Sequence, residues 1–181
     1  MIIGLTSFIG AGKTTVCDYL VEKGFVFYSL SDILREEVKS RGQGITRERL
    51  QKVGNELRKK YGSAVLAKRI LEKLEQGKDY VIDSIRNPAE IEELRKRKDF
   101  ALVFVDAPIK LRFDRTKARK RESDPMTLED FKKAEQRELE SKDSANQQLL
   151  KCREMADFVV HNDSTLENLY KKIDELIRGL K

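Results

Sequence analysis

Scarcity sets the first limits on this chain. Its 181 residues include a single histidine, His161, and only two cysteines, Cys17 and Cys152. With no Cys/His cluster, there is no ligand set for a structural zinc ion. The two cysteines lie far apart on stretches with helical patterning, which argues against a structural disulfide and for a reducing, cytoplasmic setting. Long apolar runs are also missing, and nothing approaches the ~18 residues of a membrane span. The apolar start has no basic residue ahead of it and is interrupted by Lys13, so it does not read as a signal peptide. There is no internal repeat and no low-complexity linker. The expectation is one domain over residues 1–181, large enough to bury a real core.

What is abundant is charge. Charged residues make up 38% of the chain against 39% hydrophobic, with a net charge of +6 and a sequence pI of about 9.2. Most of these charges read as a solvated surface. The basic balance suits anionic ligands such as nucleotides and is also compatible with nucleic acid. A nucleic-acid module favours aromatics interleaved with basic residues. The densest basic run, Lys110 to Arg121, has seven basic residues, one acid and only Phe113 as an aromatic.

The chain is organised around its first fifteen residues. Ile2-Ile3-Gly4-Leu5-Thr6 reads as a buried strand, and Thr15 to Val21 reads as a helix. Between them lies Ser7-Phe8-Ile9-Gly10-Ala11-Gly12-Lys13-Thr14. Strand, Gly-rich loop, Gly-Lys-Thr and helix is the context of a phosphate-binding loop. Gly10 and Gly12 let backbone wrap around phosphate oxygens, and Ala11, Thr14 and Thr15 complete the nest at the helix N-terminus. Lys13 can reach the β- and γ-phosphates of ATP, and the Thr14 hydroxyl can ligate Mg²⁺. Ser7 stands where the pattern G-x-x-x-x-G-K-S/T has its first glycine.

Four further apolar stretches read as strands: Phe25–Tyr28, Tyr80–Asp83, Ala101–Asp106 and Asp157–His161. Helical patterns alternate with them, with start signals at Ser29 or Ser31, Thr46, Pro88, Pro108 and Thr127, and a Ser164-to-Glu167 capping box. Five short strands alternating with helices predict an α/β fold, a parallel sheet with helices on both faces. Ligands bind such sheets at the carboxyl ends of the strands. The phosphate loop, Ser31-Asp32, Asp83 and Asp106 all follow strand ends.

Asp83 and Asp106 both qualify as the acid that holds a Mg²⁺-bound water; Asp83 leads into the polar Ser84-Ile85-Arg86 and Asp106 into Ala107-Pro108, where a helix N-cap is the simpler reading. Asp32 and Arg35, three apart, share a helix face, and Arg35 offers a planar fork for a phosphate. Arg112, Arg115 and Arg119 fall on one face of the next basic helix, suited to charge around a transferring phosphoryl group. A GTPase would be expected to show an Asn-Lys-x-Asp motif; none is present.

Gly10-Ala11-Gly12-Lys13, Ser31-Asp32-x-x-Arg35, Asp83-x-x-Arg86 and Asp114-Arg115-x-x-x-Arg119 occur in the order seen in adenylate-kinase-like nucleoside monophosphate kinases, which the chain resembles. Its last third, from Val103 through Ala156-Asp157 to Glu167, is similar to dephospho-CoA kinases and archaeal adenylate-kinase-like proteins. The resemblance implies a P-loop core, an acceptor-binding insert at about 30–77 and a lid at about 120–147. It places Arg35 and Arg86 on the acceptor phosphate, with Asp32 also on the substrate-binding side, and Arg115 and Arg119 at the lid hinge facing the donor phosphates. Ser84-Ile85 departs from the Gly-Phe-Pro of adenylate kinases. The expected activity is Mg²⁺-ATP-dependent phosphoryl transfer to a small phosphorylated acceptor, by a monomer or a dimer. Dephospho-CoA kinase, or an ATPase serving an RNA assembly, is the alternative.

Overall fold

A computed structural model describes residues 1–118, 127–139 and 148–180. Strand β1 (Ile2–Ser7) leads through the glycine loop into helix α1 (Lys13–Glu22). Strand β2 (Val26–Ser29) is followed by α2 (Leu30–Ser40), α3 (Arg47–Tyr61) and α4 (Val65–Leu71). Then come β3 (Tyr80–Asp83), α5 (Pro88–Leu94), β4 (Phe100–Asp106) and α6 (Ile109–Ala118). Helices α7 (Leu128–Leu139) and α8 (Leu149–Glu154), strand β5 (Phe158–His161) and α9 (Leu166–Leu180) complete the chain.

The five strands form one parallel sheet in the order β2-β3-β1-β4-β5. Central strands buried on both faces need apolar residues at every position, which is why β1 and β4 read as near-continuous apolar runs. One face packs Ile2, Ile82 and Leu102 against Leu30, Ile33, Leu66, Ile70 and Ile91. The other packs Ile3, Leu5, Val103 and Val105 against Val16, Leu20, Leu169 and Ile173. Alternation along each strand thus delivers adjacent residues to opposite layers.

One helix start is chosen between two candidates and another differs from the sequence reading. Ser29 caps α2, accepting from the Ser31 amide at 3.3 Å. The last helix is capped by Thr165, which accepts from the Asn168 amide at 3.3 Å, while Ser164 accepts from the Asn168 side chain at 2.8 Å. The expected Ser164-to-Glu167 capping box therefore shifts by one residue, because the helix begins at Leu166 rather than before it. Helix α5 begins at the expected Pro88 and ends at Leu94. Ser7, the departure from the glycine pattern, is ordinary strand: it pairs with Val105, and the left-handed backbone that demands glycine is not used there.

Of the stretch expected as a lid, α7 is docked on the body. Phe131 is 2% exposed, and Glu135 pairs with both terminal nitrogens of Arg112. No helix among the described residues is long and apolar enough to cross a membrane.

Cys17 and Cys152 are free and buried, and burial pushes both thiols up to about 12. Thiolate is the reactive form, so neither should react with a thiol reagent at about pH 8 until the chain unfolds. Unfolded thiols ionise near the ordinary 9.0 and the folded ones at about 12, so folding stability should fall as pH rises through that window. Labelling kinetics with and without denaturant check the first point, and an alkaline melting series checks the second.

Candidate active site

The carboxyl ends of β1, β2, β3 and β5 open onto one cleft of about 900 Å³, within the size range of small-molecule sites. The whole phosphate loop, Ser7 through Thr15, forms one wall. Gly10 and Gly12 are left-handed, with φ of 78° and 92°. They are also hemmed in: a Cβ on Gly10 would lie 2.4 Å from the Arg112 carbonyl oxygen, and one on Gly12 would lie 2.1 Å from Asn162 Nδ2. Both backbone conformation and space therefore require glycine.

Two of the loop's carbonyls, those of Ile9 and Ala11, are taken by other elements. Arg112, 4% exposed, donates from Nη1 to Ile9 O at 3.2 Å and from Nε to Ala107 O at 2.8 Å. Asn162, at the end of β5, donates from Nδ2 to Ala11 O at 2.8 Å. Gly12 is the N-cap of α1, no side chain caps it, and no acid lies in the first turn. The amides of that turn have no intrahelical acceptors, and the positive end of the helix dipole faces the cleft without a counter-charge of its own. Loop and helix end together make an anion cradle.

Lys13 forms a salt bridge with Asp83 Oδ1, and both side chains are largely buried. Asp83 Oδ2 accepts from the Ser84 hydroxyl at 3.2 Å. Asp106 takes a different position. It accepts from the Ala107 amide at 2.9 Å and from Arg153 at 3.2 Å, and it is not among the cleft residues. The two acids that the sequence left open are thus separated by geometry. Among the described residues, no group of three or more His, Cys, Asp and Glu side chains could hold a metal by itself. Thr14 and Asp83 fit the sparse protein contribution typical of Mg²⁺ sites, where phosphates and waters fill the remaining positions.

Arg115 reaches across to Asn162, donating to its backbone oxygen at 3.0 Å and to Oδ1 at 3.4 Å. It lines the cleft beside Leu166. Arg112 does not join it as a ligand group, because its guanidinium is spent on the loop and on Glu135. Arg119 lies outside the described residues.

The opposite wall is built by β2, α2, α3 and the turn after β3. Asp32 and Arg35 both line it and pair with each other at 2.6 Å, each about half exposed. Arg35 also donates to Ser31 Oγ at 3.0 Å. Ser29, Ser31 and Ser84 form a hydroxyl cluster with Oγ separations of 2.9, 3.2 and 3.4 Å. Among the described residues Ser84 is the one non-glycine with positive φ, 64°, and such strain concentrates at functional sites. Arg86 lines this wall too, as do Phe27, Leu34, Leu50 and Leu66.

Three residues here escaped the sequence reading. Asn162 is 4% exposed and ties the fifth strand to the loop; His161-Asn162-Asp163 gave only a polar strand end. Arg58 is 6% exposed, lines the cleft and pairs with the fully buried Glu90 at 2.8 Å. For Glu90 a signal existed: Asn87-Pro88-Ala89-Glu90 has the spacing of a capping box with proline in the first turn, and the structure forms that box.

A family model described as AAA domain matches residues 9–132. With the sheet order and the glycine loop, this defines a P-loop kinase-like domain. The chain is 36% identical to a UPF0200/UPF0201 protein of Archaeoglobus fulgidus, over 96% of this chain and 55% of that protein. It is 34% identical to a UPF0200 protein of Sulfurisphaera tokodaii, over 99% of this chain and 97% of the other. The chain belongs to the UPF0200 family. Among solved structures it shares the fold of TT1252 from Thermus thermophilus, with a TM-score of 0.63, 21% identity and coverage of 100% and 98%. Shikimate kinase from Acinetobacter baumannii, solved with shikimate, gives 0.61 at 20% identity, covering 99% of this chain and 94% of that one.

Gly12→Ala should strain the loop by ~1–3 kcal/mol through its φ alone, besides displacing Asn162. The expected outcome is loss of ATP binding with a lowered melting temperature, read by calorimetric titration and thermal unfolding.

Proposed function

We propose that the protein is an ATP-dependent phosphotransferase acting on a small phosphorylated acceptor, a nucleoside or deoxynucleoside monophosphate in the first instance. Mg²⁺-ATP would be held by the Gly10–Thr15 cradle, with Thr14 and, through water, Asp83 on the metal. Lys13 would exchange Asp83 for the donor phosphates. Arg115 and Leu166 offer the donor base a planar cation and an apolar contact. Residues around 30–77 serve as the acceptor arm, and the segment around 120–147, with Arg119 at its hinge, serves as the lid. The protein would work in the cytoplasm.

The observation that carries this reading is the second basic wall. Arg35, Arg58 and Arg86 line the cleft opposite the phosphate loop. An ATPase with water as acceptor needs Lys13, Thr14 and an acid, and has no use for three arginines on the far side. A kinase needs them to grip an acceptor phosphate in line with the donor, since phosphoryl transfer is largely positioning and charge stabilisation. The apolar side chains Phe27, Leu34, Leu50 and Leu66 on the same wall suit a flat base, and the serine hydroxyls suit its polar edge. Dephospho-CoA shares the phosphate and the base, so it belongs in the same screen.

The test is ATP-dependent transfer to a panel of nucleoside monophosphates, their deoxy forms and dephospho-CoA. Lys13→Ala should fold and lose transfer by roughly 10²–10³, the order of a lost electrostatic contact to the reacting group. Arg86→Ala should cut transfer on the order of 100-fold while ATP affinity changes little, because the phosphate loop is untouched. ATP hydrolysis with no acceptor in the panel, unaffected by Arg86→Ala, would instead favour the ATPase reading.

A further inference from the structure

One heavily committed side chain close to the cleft does not line it. Glu90, at the start of α5, is fully buried. Its Oε1 accepts from Arg58 Nη2 at 2.8 Å and from Arg58 Nε at 3.2 Å. Its Oε2 accepts from the Arg86 amide at 3.0 Å and from the Asn87 amide at 3.1 Å. One carboxylate therefore joins a guanidinium on α3 to the turn between β3 and α5. A capping box needs only the second oxygen. The first oxygen goes to a guanidinium that lines the acceptor wall.

The turn is held from its other side as well. The Arg86 carbonyl accepts from the Gln148 amide at 2.8 Å. Arg86 thus has its N–H and its C=O both fixed by residues outside the turn, and the direction in which its side chain leaves the backbone is set by them. Burial strengthens the arrangement, because in a low-dielectric site charge-assisted bonds are stronger and an unpaired partner is costly. The Cys152 thiol feels Glu90, Arg86 and Arg58 together, in keeping with their forming one cluster beneath the cleft.

We infer that Glu90 is a positioning residue for the acceptor half of the cleft: its carboxylate sets the aim of Arg86 and Arg58 at the acceptor's anionic group. This rests on the phosphotransferase reading above. Glu90 itself contacts no substrate. It neutralises Arg58 and fixes geometry, so its loss should act on acceptor affinity and leave the donor side alone.

The experiment uses the full chain with Glu90→Gln. The amide of glutamine retains one acceptor oxygen and puts donors where Arg58 or the Arg86 and Asn87 amides now donate. The KM for the acceptor should rise on the order of 10-fold or more, as misplacement of positioning groups does, with the KM for ATP essentially unchanged. Amide exchange at Arg86 and Asn87 should accelerate, while that of the phosphate loop should not. Should Glu90→Gln fold poorly, Glu90→Asp keeps the carboxylate's charge for Arg58 and draws it back by one methylene. It should fold and still raise the acceptor KM, with the KM for ATP unchanged. An unchanged acceptor KM in a folded Glu90→Gln or Glu90→Asp would overturn the inference and leave Glu90 a cap and ion-pair partner only.

If the wild-type protein transfers to no acceptor, the phosphotransferase reading fails, and the positioning role is then decided with inorganic phosphate. The Nε–H resonances of Arg86 and Arg58 are followed during a phosphate titration of wild type and Glu90→Gln. Shifts in wild type that weaken on the order of 10-fold in the variant support the role. No shift, or equal affinity in both proteins, rejects it.

Discussion

The carbonyl oxygens of the glycine loop are what the rest of the site depends on. A loop can present amides to an anion only if its carbonyls point elsewhere, and a carbonyl turned into protein needs a donor there. Here Ile9 and Ala11 find theirs in Arg112 and Asn162, side chains from α6 and from the end of β5. The consequences spread outward. Arg112 lies over the rings of Phe8 and Phe131 and is neutralised by Glu135, so the residue that steadies the loop also docks α7. Asn162 turns its remaining acceptors to Arg115, which brings that arginine to the cleft. Both glycines are then fixed by the neighbours their loop requires, since any side chain would collide with Arg112 or Asn162.

The sequence shows most of the fold and about half of the site, and the division has a physical basis. Strands buried on both faces leave continuous apolar runs, and helices packed on one side leave 3.6-residue stripes, so the five strands and their alternation with helices are legible. The glycine loop is legible because its glycines, lysine and threonine fall in one short segment. Arg35 and Asp32 are legible because a helix brings residues three apart together. Asn162, Arg58 and Glu90 act through partners 151 and 32 residues away, and no local pattern encodes such pairings. The same limit applies to Arg112. It falls on a helix face with Arg115, yet one is consumed by the loop and the other reaches the cleft, a difference set by what packs against α6. The shifted cap at Thr165 is smaller in kind: two adjacent hydroxyl residues compete, and the helix start chooses between them.

Ser7 and Ser84 show that a departure from a pattern means different things at different backbone positions. At Ser7 the motif's glycine is replaced where the chain is still extended strand, so serine costs nothing in φ. At Ser84 a serine occupies a left-handed position at the end of β3, where glycine would be the relaxed choice. The hydroxyl is what a glycine would lack. It donates to Asp83, accepts from Ser29 and lies beside Ser31. The strain is therefore matched to a network that links the acid beside Lys13 to the wall carrying Arg35.

That network gives the cleft a common design on both sides. Lys13 is paired with Asp83, Arg35 with Asp32 and Arg58 with Glu90. Gathering cations around one cavity is unfavourable unless each has a counter-charge, and the carboxylates supply it within the protein. The pairs differ in how easily a ligand could take them over. Asp32 and Arg35 are about half exposed, so water screens their attraction and phosphate oxygens can replace the carboxylate at little cost. Lys13 and Asp83 are more enclosed, each 15% exposed, so an exchange there is costlier. Arg58 and Glu90 are 6% and 0% exposed, and breaking them would leave a buried charge uncompensated, so that pair is the hardest of the three to exchange. A cleft graded in this way holds its more exposed counter-charges where an anion could displace them and its most deeply buried one beneath. Under the phosphotransferase reading, that grading would let two phosphorylated ligands bind with little repulsion in the empty protein and little loss of alignment in the loaded one.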